Sequence, residues 1–306
     1  MLSGNRYDDI REAEPLVREI NGPVVYVVAT PIGNLDDMTL RAASILKSVD
    51  VVAAEDTRRA KQLLSHIGAN KKEVISYFDH VEVEKAPQLI HKISSNNLSL
   101  ALISDAGTPC VSDPGFRLIA AAHESGVRVI PVPGASALTA LVSASGLPSS
   151  RFSFIGFLPP KDKAIKDEIG SWNSALISVV FYESTRRLKK TIGMIASLHP
   201  NCKICFGREL TKVYEEVVQL DIKDALDWSS HHENLKGEVA VMVSDLSDHR
   251  EDSLSFSESL SDLIAQDIKD GKRTKEILKD RKDMGLGRPE LYQLIVKLKS
   301  ELSGSD

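Results

Sequence analysis

Between residues 24 and 132, four short apolar runs alternate with stretches carrying apolar residues at i, i+3 and i+4: VVYVVAT (24–30), VDVVAAE (49–55), LSLALIS (98–104) and VRVIPV (127–132). No other feature restricts the fold of this chain so strongly. Runs of Val, Ile, Leu and Ala without polar alternation suit strands covered on both faces. The intervening stretches MTLRAASILKS, RRAKQLLSHIG and PQLIHKISSNN suit amphipathic helices. A strand–helix repeat of this kind closes into a largely parallel sheet. The pattern resumes after Gly134 with ALTALVSASG, FSFIGFL, LISVVFYE, RRLKKTIGMIASL, KICFGREL, YEEVVQL and EVAVMVSD. Here strands follow one another more closely, which predicts a mixed sheet with antiparallel pairs. The chain therefore reads as α/β: an N-terminal extension (1–22), a parallel-rich domain (23–133) and a mixed-sheet domain (134–245).

Beyond Ser244 the character changes. The polar, acidic, serine-rich stretch DLSDHREDSLSFSES supplies a linker over 246–258, and three short helices form a C-terminal module over 259–306. Gly271–Lys299 holds nine basic against four acidic residues, although the whole chain carries a net charge of −5. Such a module is either a solvated helical appendage or a surface for RNA phosphates. With 42% hydrophobic but only 5% aromatic residues, the cores must be aliphatic. Three cysteines, Cys110, Cys202 and Cys205, are an odd count and point to a reducing, cytoplasmic setting rather than a disulfide framework. No apolar run approaches the ~18 residues of a membrane span, so no membrane partner is expected. The first twenty residues have no signal-peptide core.

Each early strand ends in a loop rich in turn formers. ATPIGNLDD (29–37) combines Pro31 with Gly33 and Asn34, SDAGTPCVSDPG (104–115) is twelve residues long, and PVPGASA (131–137) opens a helix with small residues. Strand-to-helix connections usually take about two to six residues, so the long one reads as a binding loop. In open α/β sheets ligands sit at this edge. Three such loops suggest a pocket of backbone groups and small side chains, suited to an adenosine-containing ligand. Asp105 and Asp113 are positioned to accept hydrogen bonds, and Gly107 permits close approach. In the plainer reading these are ordinary turns, with Asp36 or Asp37 capping the next helix.

Charged clusters follow several strands: AAEDTRRAKQLL (53–64), FYESTRRLKK (181–190) and FGRELTKVYEE (206–216). In the first, Asp56 or Thr57 caps a helix. The paired cations are suited to gripping a phosphodiester backbone, or equally to ion pairs across a domain cleft. Metal and nucleotide motifs are weak. The G-x-x-x-x-G-K-[ST] loop is absent, GLGRPE (285–290) lacks a third glycine, and HHE (231–233) lacks a second spaced histidine. Cys202 and Cys205 satisfy C-x-x-C but fall in an apparent strand, where i and i+3 face opposite sides. No metal is expected.

The motifs TPIGNLDD, AAEDTRR, SDAGTPCVSDPG, PGASA, GFLPPK, FYESTRRL, GRELTK and KGEVAVMV occur in this order across 23–244. In them the chain resembles the ribosomal RNA small subunit methyltransferase I family of the tetrapyrrole methylase superfamily. The resemblance implies a two-domain tetrapyrrole-methylase fold with a small C-terminal helical module and S-adenosyl-L-methionine in the interdomain cleft. It also implies 2′-O-methylation of a decoding-centre cytidine in 16S rRNA of the small ribosomal subunit, usually by a homodimer. By superfamily analogy Pro31, Ala106, Gly107, Thr108, Val111, Ser136 and Ala137 contact the cofactor, and the loop reading adds Gly33 and Asp105. Cys110 sits where the family varies and is given a packing role.

The in-line displacement needs positioning and a proton acceptor. Arg208, Glu209, Glu183 and Asp56 are the candidate catalytic residues, with Glu55 and Asp105 as further carboxylates near the expected cleft. Arg58, Arg59, Arg186, Arg187, Lys212, Lys272, Arg273 and Arg288 are the candidate RNA contacts. Two alternatives stand beside this reading: a tetrapyrrole methyltransferase, which requires an apolar cleft for a macrocycle, and a non-catalytic ribosome-associated binding protein.

Overall fold

The computed structural model describes residues 22–173, 178–232, 237–246, 261–281 and 288–303. The N-terminal extension (except Gly22) and nearly all of the linker lie outside the described residues. The first sheet is built from β1 (Val24–Val28), β2 (Val51–Ala54), β3 (Glu73–Ser76), β4 (Ser99–Ile103) and β5 (Arg128–Val132). Its order is β3-β2-β4-β1-β5, parallel throughout. Helices α1 (Leu40–Ser48), α2 (Thr57–His66), α3 (Glu82–Asn96) and α4 (Phe116–Glu124) connect the strands.

Alternation along the strands divides the core. Val52 and Ala54 of β2 and Ala101 and Ile103 of β4 pack with Ile45 and Leu46 of α1 and Leu64 of α2. Their neighbours Val51, Ala53, Leu100 and Leu102 pack with Leu89 and Ile93 of α3 and Leu118 of α4. The sheet is doubly wound, which explains strands without polar alternation. The chain leaves β1 towards β2 and leaves β4 towards β5, in opposite directions from adjacent strands, so a crevice opens beyond their carboxyl ends. Strand β3 is absent from the sequence pattern: it lies at an edge, and its four residues are nowhere fully buried.

The second sheet has the order β6-β7-β10-β8-β9, from β6 (Ser153–Phe157), β7 (Ser178–Ser184), β8 (Lys203–Arg208), β9 (Glu216–Asp221) and β10 (Glu238–Ser244). Only the β6–β7 pair is parallel. One face is covered by α6 (Asp162–Gly170), α7 (Thr185–Leu198) and α8 (Ile222–His232), with Phe181, Phe206 and Val241 in the core. The other face, through Val180, Cys205 and Met242, packs against Leu141 of α5 (Ala137–Ala144) and Ile32 from the loop after β1. Cys202 and Cys205 thus enter opposite cores, and burial pushes their thiols up to about 12 and about 11.

The described residues from 261 onward belong to a separate compact unit. It contains α9 (261–269), α10 (Thr274–Asp280) and α11 (Arg288–Ser303), joined by Ile264, Ile277, Leu291 and Ile295.

Candidate active-site cleft

The three loops beyond the first sheet are tied together. Thr30 donates its N–H to the Gly107 carbonyl at 2.8 Å, and Gly107 returns an N–H to Thr30 at 3.0 Å. The Thr30 hydroxyl reaches the Ser104 carbonyl at 3.3 Å. The third loop lies so close that a Cβ on Gly134 would fall 2.9 Å from the Ala29 Cβ. The twelve-residue loop is held in an unusual shape: Gly107, Cys110, Ser112 and Gly115 all have positive φ. Its end is fixed by Glu82, a buried carboxylate of α3 that accepts the Gly115 N–H.

These loops face one edge of the second sheet, where the ends of β7 and β8 meet the start of β10. Between them lies a cleft of about 920 Å³. Its first-sheet wall presents Ala106, Gly107, Thr108, Val111, Ser136 and Ala137, the small residues of the second and third loops. Five carboxylates, Glu55, Asp105, Asp113, Glu209 and Glu238, share it with Arg59, Arg186 and Lys212. Burial pushes Asp113 up to about 6, and the carboxylates of Asp105, Glu238 and Asp79 add to the rise against a hydrogen bond from Ser104. Glu55 is raised by burial and by Asp105, Asp113 and Asp79.

Of the remaining cofactor candidates, Asp105 lines the cleft while Pro31 and Gly33 lie outside it. Pro31 borders a smaller adjoining cavity. Gly33 sits against the second sheet's β8–β9 turn, where a Cβ would come within 2.6 Å of the Lys212 Cγ and 2.9 Å of the Thr211 Oγ1. Asn34 next to it donates its N–H to Thr211 at 3.0 Å, so this glycine serves the contact between the two sheets' loops. Asp105 is a bridge: it accepts the Asp56 N–H at 3.0 Å and pairs with Arg59 at 3.1 Å.

The catalytic candidates separate in the same way. Glu209 lines the cleft and pairs with Lys212 at 3.2 Å. Asp56 caps α2 through the Arg58 N–H at 2.8 Å, and the Arg58 guanidinium holds its carboxyl at about 2. Glu183 is sealed inside, accepting from Thr191 at 2.9 Å and pairing with Arg187 at 3.3 Å. Arg208 points to Glu216 at 3.2 Å, and Glu216 in turn accepts from Trp228 at 3.0 Å.

Of the RNA candidates, Arg58 and Arg59 have side chains 88% and 65% exposed, and Arg186 is an exposed cation of the cleft. Arg187 instead donates to the Leu158 and Pro159 carbonyls at 3.3 and 2.7 Å. In the separate C-terminal unit Lys272 pairs with Asp267 and Asp280, and exposed Arg273 pairs with Glu276. The Arg288 side chain lies outside the described residues.

Sequence reasoning gave Asp113 only a hydrogen-bonding role and missed Glu238 and Tyr182. Their signal was indirect, since the motifs KGEVAVMV and FYESTRRL contain them. Only the antiparallel β7–β10 register, which sets Glu238 opposite Ser184, brings them to one place.

A doubly wound sheet, joined to a mixed sheet across a cleft of small residues and carboxylates, defines the class. The model of the Tetrapyrrole (Corrin/Porphyrin) Methylases family matches residues 24–226. A Vibrio cholerae protein named Ribosomal RNA small subunit methyltransferase I is 42% identical over 76% of this chain and 81% of its own length. The protein of that name from Halalkalibacterium halodurans is 38% identical over 88% and 93%. Among solved structures, the methyltransferase CobJ superposes with a TM-score of 0.55 at 15% identity, over 74% of this chain and 94% of that one. Diphthine synthase does so at 0.54 and 16%, over 72% and 90%; these two likenesses concern the fold. The chain belongs to the tetrapyrrole methylase family, in the branch whose curated relatives carry the name Ribosomal RNA small subunit methyltransferase I.

Proposed function

We propose that this protein transfers a methyl group from S-adenosyl-L-methionine to the ribose 2′-oxygen of a cytidine in 16S rRNA of the small ribosomal subunit. The observation that carries the reading is one cleft with a carboxylate-rich interior and arginines at its side. Beyond the Arg59–Asp105 and Lys212–Glu209 pairs, the carboxylates of Glu55, Asp113 and Glu238 would repel a polycarboxylate macrocycle but suit a sulfonium cation. An uncharged ribose edge can enter, while its phosphates stay with Arg58, Arg59 and Arg186. Relatives named for rRNA methylation at 38–42% identity support the same choice.

The residues fit the cofactor. Small side chains at Ala106, Ser136 and Ala137 leave room along the loops for an adenosine and its amino-acid tail. When bound, the cofactor supplies an electrophilic methyl carbon. Methylation of a hydroxyl would release its proton, and a cleft carboxylate would take it up. We assign that acceptor to Asp113, because it lines the cleft and is raised towards neutrality. Glu209, steadied by Lys212, orients the acceptor from the opposite sheet. The reading includes a homodimer, as the family resemblance implies, in the reducing cytoplasmic setting suggested by the three cysteines; among the described residues no helix is long and apolar enough to cross a membrane.

The test is methyl incorporation from labelled S-adenosyl-L-methionine into undermethylated small subunits and into naked 16S rRNA. Label mapped to a ribose 2′-oxygen is the expected result. Label on neither RNA, with cofactor binding intact, sinks the reading and sends the search to tetrapyrroles.

A further inference from the structure

A second cavity of about 300 Å³ opens beyond the carboxyl ends of β1, β2 and β4, on the α2 side. Arg59 and Asp105 border both it and the large cleft, so the two spaces share one wall. That wall is rigid. Asp105 is engaged by the Asp56 N–H and by Arg59, and Asp56 is engaged by Arg58 through two contacts of 3.1 and 2.7 Å. The carboxylates here are spent on structure and are not offered to a ligand.

What the cavity does offer is aliphatic surface and one amide. Pro31, Leu35, Leu63 and Ile103 give apolar walls, and Leu35 stays 45% exposed although it borders a cavity. Gln62 stands exposed at the edge, and its carboxamide makes no protein hydrogen bond among the described residues. It can present a donor and an acceptor side by side. Apolar faces, a single amide and Arg59 at the shared wall match a flat heteroaromatic ring linked to a phosphate backbone. The volume suits one base and is too small for a macrocycle.

We propose that this cavity receives the base of the acceptor nucleotide, leaving its ribose in the large cleft. The inference rests on the RNA reading above. A base and its 2′-oxygen hang on adjacent ribose carbons, so they must occupy adjoining spaces, and the shared Arg59–Asp105 wall provides them. Gln62 would bond the base edge while Leu35 and Leu63 flank its faces.

The test uses the full chain with Gln62→Ala and Leu35→Ala, two exposed positions whose truncation leaves the core intact. Three quantities are measured: cofactor dissociation constant, KM for undermethylated small subunits, and crosslinking of an acceptor-site RNA fragment carrying 5-iodocytidine at the acceptor position. Each variant should raise KM at least fivefold and leave cofactor affinity within twofold. The crosslink should map to Leu35 or to residues 60–63. Cofactor binding weakened as much as KM would assign the cavity to the cofactor and overturn the proposal. Unchanged KM with a crosslink elsewhere would overturn it too. If the wild type binds cofactor but methylates no RNA, the function reading falls, while the crosslink position still decides whether a base enters the cavity.

Discussion

Asp113 shows what a single side chain gains from its surroundings. In sequence it is one of two aspartates in a turn-rich loop; in the fold it is half-buried among Asp105, Glu238, Asp79 and Glu55. A base must be ionised to accept a proton, so methyl transfer should rise with pH through about 6, the value to which burial lifts this carboxyl. Asp113→Asn should lose about 100-fold or more in kcat with cofactor affinity within threefold. A wild-type rate in the variant, or an acid limb that survives the substitution, would remove Asp113 from the mechanism. Two residues on, Gly115 has φ 137°, and a Cβ there would sit 2.6 Å from both the Cys110 Sγ and the Leu102 Cδ2. Gly115→Ala should cost about 1–3 kcal/mol, read as a lowered denaturation midpoint. Cys110 is part of that packing, and burial lifts its thiol to about 11.

Elements carry the site by where they begin and end. Helix α1 is capped by Thr39, whose hydroxyl accepts the Ala42 N–H at 3.1 Å. Asp36 and Asp37 fall instead in a short 3₁₀ turn capped by Asn34, because Met38 and Thr39 separate that turn from the helix. Asp56 caps α2 as its position suggested. At the opposite edge of the first sheet, Asp50 ties the start of β2 to β4. Its carboxylate accepts the Ser99 N–H and hydroxyl, both at 2.7 Å, which lowers its pKa despite some burial. A lowered folded-state value means that the stabilisation is complete above the unfolded carboxylate range near about 4 and is lost as pH falls through the folded value. Asp50→Ala should cost about 1 kcal/mol at pH 7, discounted for its exposure, and the gap from wild type should close in acid. A constant gap down to pH 3 would show that packing, not charge, is responsible.

Across the whole molecule, net charge says little about the partner. The chain totals −5, yet Arg58, Arg59 and Arg186 are exposed near one cleft. If phosphates are held there, raising salt from 50 to 200 mM should weaken small-subunit binding about tenfold or more. Cofactor binding, which involves one sulfonium charge enclosed in the cleft rather than a row of phosphates, should change less than threefold. Filter binding and calorimetry separate the two; equal salt sensitivity would argue against a phosphate-holding rim.

The sequence by itself determined the architecture, because periodicity is local. Uninterrupted Val, Ile and Ala runs between amphipathic stretches can be satisfied only by strands with helices on both faces. It also located the loops that border the cleft, since Ala106, Gly107, Thr108, Ser136 and Ala137 lie at strand ends and line it. Edge strand β3 escaped because four half-covered residues carry little hydrophobic signal. What only the tertiary structure decided is which charged side chain faces which. Glu183 and Glu209 looked alike in sequence, each beside an arginine at a strand end. Strand register then sent Glu183 inward to Thr191 and Arg187, and a left-handed residue at the end of β8 (φ 49°) turned Glu209 to the cleft. A side chain's face depends on one residue of register or one backbone angle, and neither leaves a mark in composition.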